Sequence, residues 1–347
     1  MLQHSEKRTY TLPCLVALGA VLVCLPGRAR AQAPNAAGSK SFQPETKQGE
    51  YTIRTDVNLV VLHATVLDTK GRMVNDLKEN NFQVSENGVL QKLSVFSHAD
   101  IPVTMGIIID DSGSMRTKRQ SVNAAAVTFV KTSNPQDQVF VVNFNDNYYL
   151  DTPGDFAQNM EELKAALDKI DSRGGTALRD ALMASIDHLK LGNRDKKVIL
   201  VVTDGEDNES RYSLEELLKS GQNSNAVIYC IGLLGEEEPG GLFKKTGGEA
   251  KRAAKALKEI AEATGGEAYF PKSLDEVEST CVQIAHDIRN QYTLGYYPTN
   301  ANKDGTYRTV RVQAFSTDKH RPLEVRTRTG YFAPKAGAAA TAPSAGQ

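Results

Sequence analysis

Four nearly continuous apolar runs, separated by stretches of helical period, constrain this chain more than any other feature. They are Val103–Ile109, Gln138–Phe144, Lys197–Val202 and Ala226–Ile231. A strand that is apolar along its whole length is buried on both faces, as in a parallel sheet covered by helices on either side. Between the runs the period lengthens. Leu163, Ala166, Leu167 and Ile170 make an i, i+3, i+4, i+7 stripe, and Leu178, Leu182, Ile186 and Leu189, at i, i+4, i+8 and i+11, line one face of another helix. Helices are predicted at about 119–132, 159–170, 177–190, 213–221, 250–263 and 273–290. A further strand is expected at Glu267–Phe270 and a short edge strand at Tyr148–Leu150.

The flanks follow a different rule. Val57–Leu67, Phe82–Glu86 and Gln91–Phe96 read as strands, with Glu86-Asn87-Gly88 as a hairpin signal. After Asn290 the β pattern returns at Gln291–Tyr297, Tyr307–Phe315 and Leu323–Phe332. Either set alone leaves an apolar face and open edges, which is an aggregation liability. Residues 51–100 and 291–333 are therefore expected to fold together as one discontinuous β-sandwich. Residues 101–290 are expected to be inserted between them as an α/β unit with a doubly wound, mostly parallel, Rossmann-like sheet.

Polar residues gather where the apolar strands end. The first strand runs into Asp110-Asp111-Ser112-Gly113-Ser114, placing oxygen-bearing side chains at alternate positions. Gly174-Gly175-Thr176 precedes a helix, and Thr203-Asp204-Gly205 ends another apolar strand. Side-chain oxygens from three segments suit a hard divalent cation such as Mg²⁺, which takes six oxygen ligands and retains waters where the protein offers none.

The five residues Asp110, Ser112, Ser114, Thr176 and Asp204, in this order and context, resemble the metal-ion-dependent adhesion site of von Willebrand factor type A domains. The whole arrangement is also similar to exported bacterial proteins in which such a domain is flanked by β segments; Phe82–Gly88, Gln291–Tyr296 and Arg328–Tyr331 carry that likeness. The resemblance implies that Ser112, Ser114 and Thr176 contact the ion directly or through water. It implies that Asp110 and Asp204 neutralise the ion by accepting hydrogen bonds from its waters and hydroxyls. Mg²⁺ is the expected cation, with Mn²⁺ or Ca²⁺ as alternatives. Neutral inner ligands leave the ion electrophilic, so an Asp or Glu of a protein ligand is the expected sixth ligand. Asp111, Gly175, Glu206 and Asp207 are expected on the rim that meets this partner. In integrin-type relatives, acids just after the first motif place a second metal; here Arg116, Lys118 and Arg119 stand there instead.

The N-terminus points to export. Lys7 and Arg8 precede the apolar run Leu12–Leu25, and Ala29-Arg30-Ala31 is a cleavage signal, so residues 1–31 are expected to be a signal peptide. That run is too short to span a bilayer comfortably, so no membrane span is expected. Removing it takes away Lys7, Arg8, Arg28 and Arg30 and one acid, Glu6, moving the formal charge from −1 to −4. A mildly acidic chain of mixed charge carries no nucleic-acid footprint. Residues 32–50 read as a linker and 334–347 as a disordered tail. Cys230 and Cys281 remain, expected as buried free thiols rather than a disulfide.

These readings converge on an exported, periplasmic or secreted, metal-dependent protein-binding module without enzymatic activity. A metal-stabilised scaffold of the cell envelope is the alternative, and a metal-dependent hydrolase a lesser one. Hydrolysis needs a positioned base; Asp111 and Asp207 read as exposed loop acids, His188 and His286 sit on different helices, and no phosphate-cradling glycine motif is present. The absence of a linker between the helix at 273–290 and the strand at Gln291 suggests that movement of that helix could pass between the two units.

Overall fold

The computed structural model describes residues 59–234, 247–317 and 321–335. The predicted signal peptide and linker, residues 235–246 and nearly all of the predicted tail lie outside the described residues. The first flank supplies β1 (Val60–Leu67), β2 (Phe82–Glu86), β3 (Val89–Gln91) and β4 (Leu93–Ser97). The central region begins with β5 (Val103–Asp110), α1 (Arg119–Thr132), β6 (Gln138–Phe144), β7 (Tyr148–Leu150), α2 (Met160–Leu167) and α3 (Leu178–His188). It continues through β8 (Lys196–Thr203), α4 (Leu214–Ser224), β9 (Ala226–Gly232), α5 (Gly247–Thr264), β10 (Ala268–Tyr269) and α6 (Asp275–Arg289). The second flank adds β11 (Tyr292–Tyr296), β12 (Tyr307–Phe315), β13 (Pro322–Arg326) and β14 (Gly330–Phe332).

The central strands form a six-stranded sheet in the order β10-β9-β8-β5-β6-β7. Neighbours are parallel except for β6 and β7, so the sheet is mixed. Every residue of β5 is buried, because alternate side chains feed two separate cores. Met105, Ile107 and Ile109 pack with Phe129 of α1, Leu163 of α2 and Ile284 of α6. Ile108 packs on the opposite face with Leu182 of α3, Leu217 of α4 and Leu257 of α5. Burying side chains of this size stabilises each layer by about 1.5–3 kcal/mol per residue. Local signals set the helix ends: at α4 the Ser213 Oγ accepts from the Glu216 amide at 3.2 Å, and the Glu216 carboxylate accepts from the Ser213 amide at 2.8 Å.

Strand order creates the place where a site can form. From β5 the chain crosses to β6 on one side, then returns to β8 on the other. The carboxyl ends of β5 and β8 are thus neighbours whose following segments lead to helices on opposite faces, and in open α/β sheets such a switch point leaves a crevice.

Strands from both flanks join one eight-stranded antiparallel sheet along β3-β2-β12-β13-β1-β11-β4, with β14 pairing β12. Along β12 exposed and buried residues alternate, giving one wet face and one face against Leu62, Phe82 and Tyr292. Three details differ from the sequence reading. The flanks share one continuous sheet rather than the two separate sheets of a sandwich, because β13 bridges β12 to β1. The strand expected at Gln91–Phe96 is divided, with β3 completing a tight hairpin through Asn87 and Gly88 at φ 48° and 82°. The run at Leu323–Phe332 breaks between β13 and β14, which pair with opposite ends of β12. At the break Arg328 turns inward and donates to the Val61 carbonyl at 2.8 Å and to Asn225, tying the flanking sheet to the end of α4. Gln291 makes a second tie, donating to Thr65 at 3.1 Å and to the Tyr229 hydroxyl at 3.2 Å.

Cys230 and Cys281 are buried free thiols. They belong to the cores on opposite faces of the central sheet, which keeps them apart.

Candidate metal centre

Asp110 closes β5 and Thr203 closes β8, one register step beyond the Ile109–Val202 pair. Both carboxylates at this seam, Asp110 and Asp204, are 0% exposed. Asp110 is held by the Ser112 amide on Oδ1 at 2.8 Å and by the Thr203 hydroxyl on Oδ2 at 2.5 Å. Burial, and then the charge of Asp204, push its carboxyl up to about 6. Two anionic groups sealed together in this way create a demand for positive charge.

The hydroxyls lie directly over this pair. Ser112 is buried and Ser114 exposed, with their Oγ atoms 3.2 Å apart. Ser114 donates to Asp204 Oδ1 at 2.7 Å, and the Lys118 ammonium donates to Asp204 Oδ2. The third segment is pinned by backbone: the Gly113 amide donates to the Gly174 carbonyl at 3.3 Å, and the Arg173 amide to the Asp111 carbonyl at 3.1 Å. Gly174 has φ +73°, and a Cβ there would lie 2.3 Å from Asp146 Oδ2. A Cβ on Gly175 would lie 2.6 Å from Glu209 Cγ. At Gly174 the left-handed backbone favours glycine. Thr176, 5% exposed, is then locked to the segment after β8, its amide donating to Asn208 Oδ1 at 2.9 Å and its carbonyl accepting from the Asn208 amide at 3.1 Å.

The expected rim is partly corrected. Asp111 is 3% exposed and faces away from solvent. Its carboxylate accepts from the Asp171 amide at 2.6 Å and the Ser172 hydroxyl at 3.1 Å, and it pairs with the buried Arg119 guanidinium at 3.4 Å. The Asp111 side chain is thus a brace for the 171–173 loop rather than a contact for a partner. Gly175, Glu206 and Asp207 are half-buried, and the two acids are paired, Glu206 with Arg252 at 2.8 Å and Asp207 with Arg179 at 3.1 Å. Asp207 also accepts the Arg179 amide at 2.7 Å, satisfying a free donor in the first turn of α3.

Sequence reasoning missed much of the supporting frame. Arg119 donates to Asn143 at 2.9 Å and to the Leu167 carbonyl at 3.0 Å, and Asn143 donates to Asp151 at 2.7 Å. A buried arginine in an amphipathic helix carries no signal in apolar periodicity. Thr203 lies within the predicted motif, yet its role as a donor to Asp110 depends on the strand register.

The donor set fits a hard cation. The side-chain acceptors that meet here are carboxylate and hydroxyl oxygens, and a positive group, the Lys118 ammonium, already rests on Asp204. Among the described residues no three His, Cys, Asp or Glu side chains converge on a point, so a cation here would depend on hydroxyls. None of the described helices is long and apolar enough to cross a membrane.

Residues 105–295 match the family model of the von Willebrand factor type A domain. Among curated proteins, the chain is similar to inter-alpha-trypsin inhibitor heavy chain H4 of Sus scrofa, 24% identical over 237 residues, 62% of this chain and 23% of that protein. Its counterpart in Bos taurus is 21% identical over 170 residues, covering 45% and 19%. The chain thus spans less than a quarter of the length of the curated relatives it matches. Among solved structures, a von Willebrand factor type A protein from Catenulispora acidiphila is 15% identical, covering 80% of this chain and 74% of that one, with a TM-score of 0.47. Proximal thread matrix protein 1 from the mussel byssus, in a structure described with a zinc-occupied MIDAS motif, is 20% identical, covering 58% and 49%, with a TM-score of 0.44.

Proposed function

This chain belongs to the von Willebrand factor type A domain family, and we propose that it is an exported module that captures a partner protein's carboxylate through a divalent cation. Domains of this family are generally adhesion or protein-binding modules with a divalent-metal site. The observation that carries the reading is the seam itself: Asp110 and Asp204, both sealed from solvent, lie beneath the hydroxyls of Ser112 and Ser114. We assign Ser112, Ser114 and Thr176 as the ligands, and Asp110 and Asp204 as the buried counter-charges. A bound cation, Mg²⁺ or else Mn²⁺ or Ca²⁺, would supply an electrophilic centre able to accept an outside carboxylate.

The chain's own residues determine how that centre is presented. Thr203 and the Ser112 amide fix the two oxygens of Asp110, which orients the first loop. Arg119 and Asp111 brace the loop from below, and Asn208 fixes Thr176. The Arg116 side chain, exposed and donating to the Ser172 carbonyl at 3.1 Å, places a cationic group on the rim that suits an acidic partner. We read the whole as a doubly wound metal domain inserted between two flanks that share one antiparallel sheet, with the mature protein in the periplasm or outside the cell. A single metal–carboxylate bond does not hold a complex, so the partner must also cover several hundred Å² of this surface. We read the role as binding rather than catalysis.

The test is retention of the mature protein on surfaces bearing Asp- or Glu-containing peptides, against matched Asn and Gln peptides. Retention that needs both the carboxylate and Mg²⁺, and that is lost in Thr176→Ala, supports the proposal. Retention indifferent to cation and carboxylate refutes it.

A further inference from the structure

Every carboxylate oxygen at the seam has an internal donor. Asp110 is met by the Ser112 amide and the Thr203 hydroxyl, and Asp204 by the Ser114 hydroxyl and the Lys118 ammonium. Three of these donors are neutral and belong to the loop and strand framework. Lys118 is different. It carries a full charge, it extends from the turn before α1, and its side chain retains 21% exposure while Asp204 has none. Its flexible stem can carry the ammonium out into water when a cation takes over the charge of Asp204.

We propose that Lys118 is a built-in competitor for the cation, setting both the affinity and the charge selectivity of the site. This rests on the reading of the seam as a cation site. An ammonium is a compact point charge of +1 that stands where a metal's charge is needed. A monovalent ion that displaces it gains no net charge and loses a charge-assisted hydrogen bond, so it has no advantage. A divalent ion brings one more unit of charge and can orient the Ser112 and Ser114 hydroxyls at once. Lys118 therefore filters by charge, and it holds the site neutralised before loading, so that Asp110 and Asp204 do not repel one another unrelieved.

Displacement also places the ammonium where a partner carboxylate arrives. Released from Asp204, Lys118 joins Arg116 on the open side of the loop, adding a second positive group to the rim. Loading of the cation and readiness for an acidic partner are then linked by one side chain.

The experiment uses mature protein stripped with EDTA, as wild type, Lys118→Met, Lys118→Gln and Lys118→Arg. Calorimetric titration with Mg²⁺ is paired with thermal unfolding in EDTA and in saturating Mg²⁺. Removing the charge should tighten Mg²⁺ binding by about tenfold in the Met and Gln variants, a typical effect for one partly buried charge pair. Lys118→Arg, which keeps the charge, should stay near wild type. In EDTA the uncharged variants should melt below wild type, and in saturating Mg²⁺ that gap should close. A purely structural lysine would lower stability in both conditions without tightening the metal. Unchanged or weaker Mg²⁺ binding in both uncharged variants overturns the competition. Absence of saturable binding in all four proteins overturns the cation site itself, and the competition with it.

Discussion

Asp110 and Asp204 end up side by side at the seam between β5 and β8, both without solvent contact, and burial together with the charge of Asp204 raises the cost of ionising Asp110. Isolated carboxylates would not be buried in this way without strong compensation. The compensation is visible in the internal donors, and it marks the seam as a place that selects for positive charge.

Asp110→Asn should separate the two roles of this residue. An amide keeps the size of the side chain and can still accept from the Ser112 amide, while removing one of the two opposed charges. Stability in EDTA should be retained within about 1 kcal/mol, and the extra stability conferred by Mg²⁺ should vanish. Chemical denaturation with and without Mg²⁺ checks this. A variant still stabilised by Mg²⁺ as strongly as wild type would show that Asp110 is not part of the site.

Gly174→Ala should disturb the site through the backbone. The position has φ +73°, and a methyl group would meet Asp146, which accepts the Gly175 amide at 2.5 Å. Left-handed strain costs about 1–2 kcal/mol for a non-glycine residue, and the clash adds to it. Weakened cation binding together with this loss of stability is expected. Equal stability and equal binding would mean that the loop does not depend on its glycine.

The flanking sheet contains its own buried ion pair. Arg308 and Glu86, 1% and 3% exposed, meet at 3.2 Å, and the Tyr296 and Tyr331 hydroxyls donate to Glu86 at 2.9 and 2.8 Å. These residues come from both flanks, so the pair joins segments more than two hundred positions apart. Arg308→Ala should cost about 3–5 kcal/mol, because it leaves a carboxylate buried without its charge partner. Urea denaturation measures it, and a loss below about 1 kcal/mol would contradict the role given to the pair.

Lys196 predicts a pH dependence away from the metal centre. It is buried at the start of β8, with its ammonium on the Ile288 carbonyl at the end of α6. Burial lowers its pKa from 10.5 to about 7, against the opposing pull of Asp100 and Asp137. A folded-state value below the unfolded one means that the unfolded chain binds more protons between those limits. Its contribution to stability should therefore rise with pH between about 7 and 10.5, and stay constant below that window. The slope can reach about 1.4 kcal/mol per pH unit. Denaturation curves at pH 7 and pH 9, compared with Lys196→Met, check the sign; an equal pH response in the variant would rule Lys196 out as its source.

Much of the fold was legible in the sequence because the burial of the central strands is written directly in their composition. The runs at Val103, Gln138, Lys197 and Ala226 all emerge as strands within one or two residues, and α1 spans the predicted 119–132. The five proposed site residues could be named because they stand in short motifs at strand ends. Other features depend on long-range geometry that no local pattern encodes. Asp111 has the same neighbours in sequence whether exposed or buried, and only the return of the 171–173 loop decides between them. The break at Arg328 is likewise set by pairing with Val61 and Asn225, far away in the chain.

The central claim is that the seam holds one divalent cation. Calorimetric titration of EDTA-stripped mature protein with Mg²⁺, Mn²⁺ and Ca²⁺, beside Asp110→Asn, addresses it most directly. Saturable binding at a single site with at least one of these ions, absent in the variant, is the predicted result. A folded protein that takes up none of the three, or a variant that binds as wild type does, would contradict it.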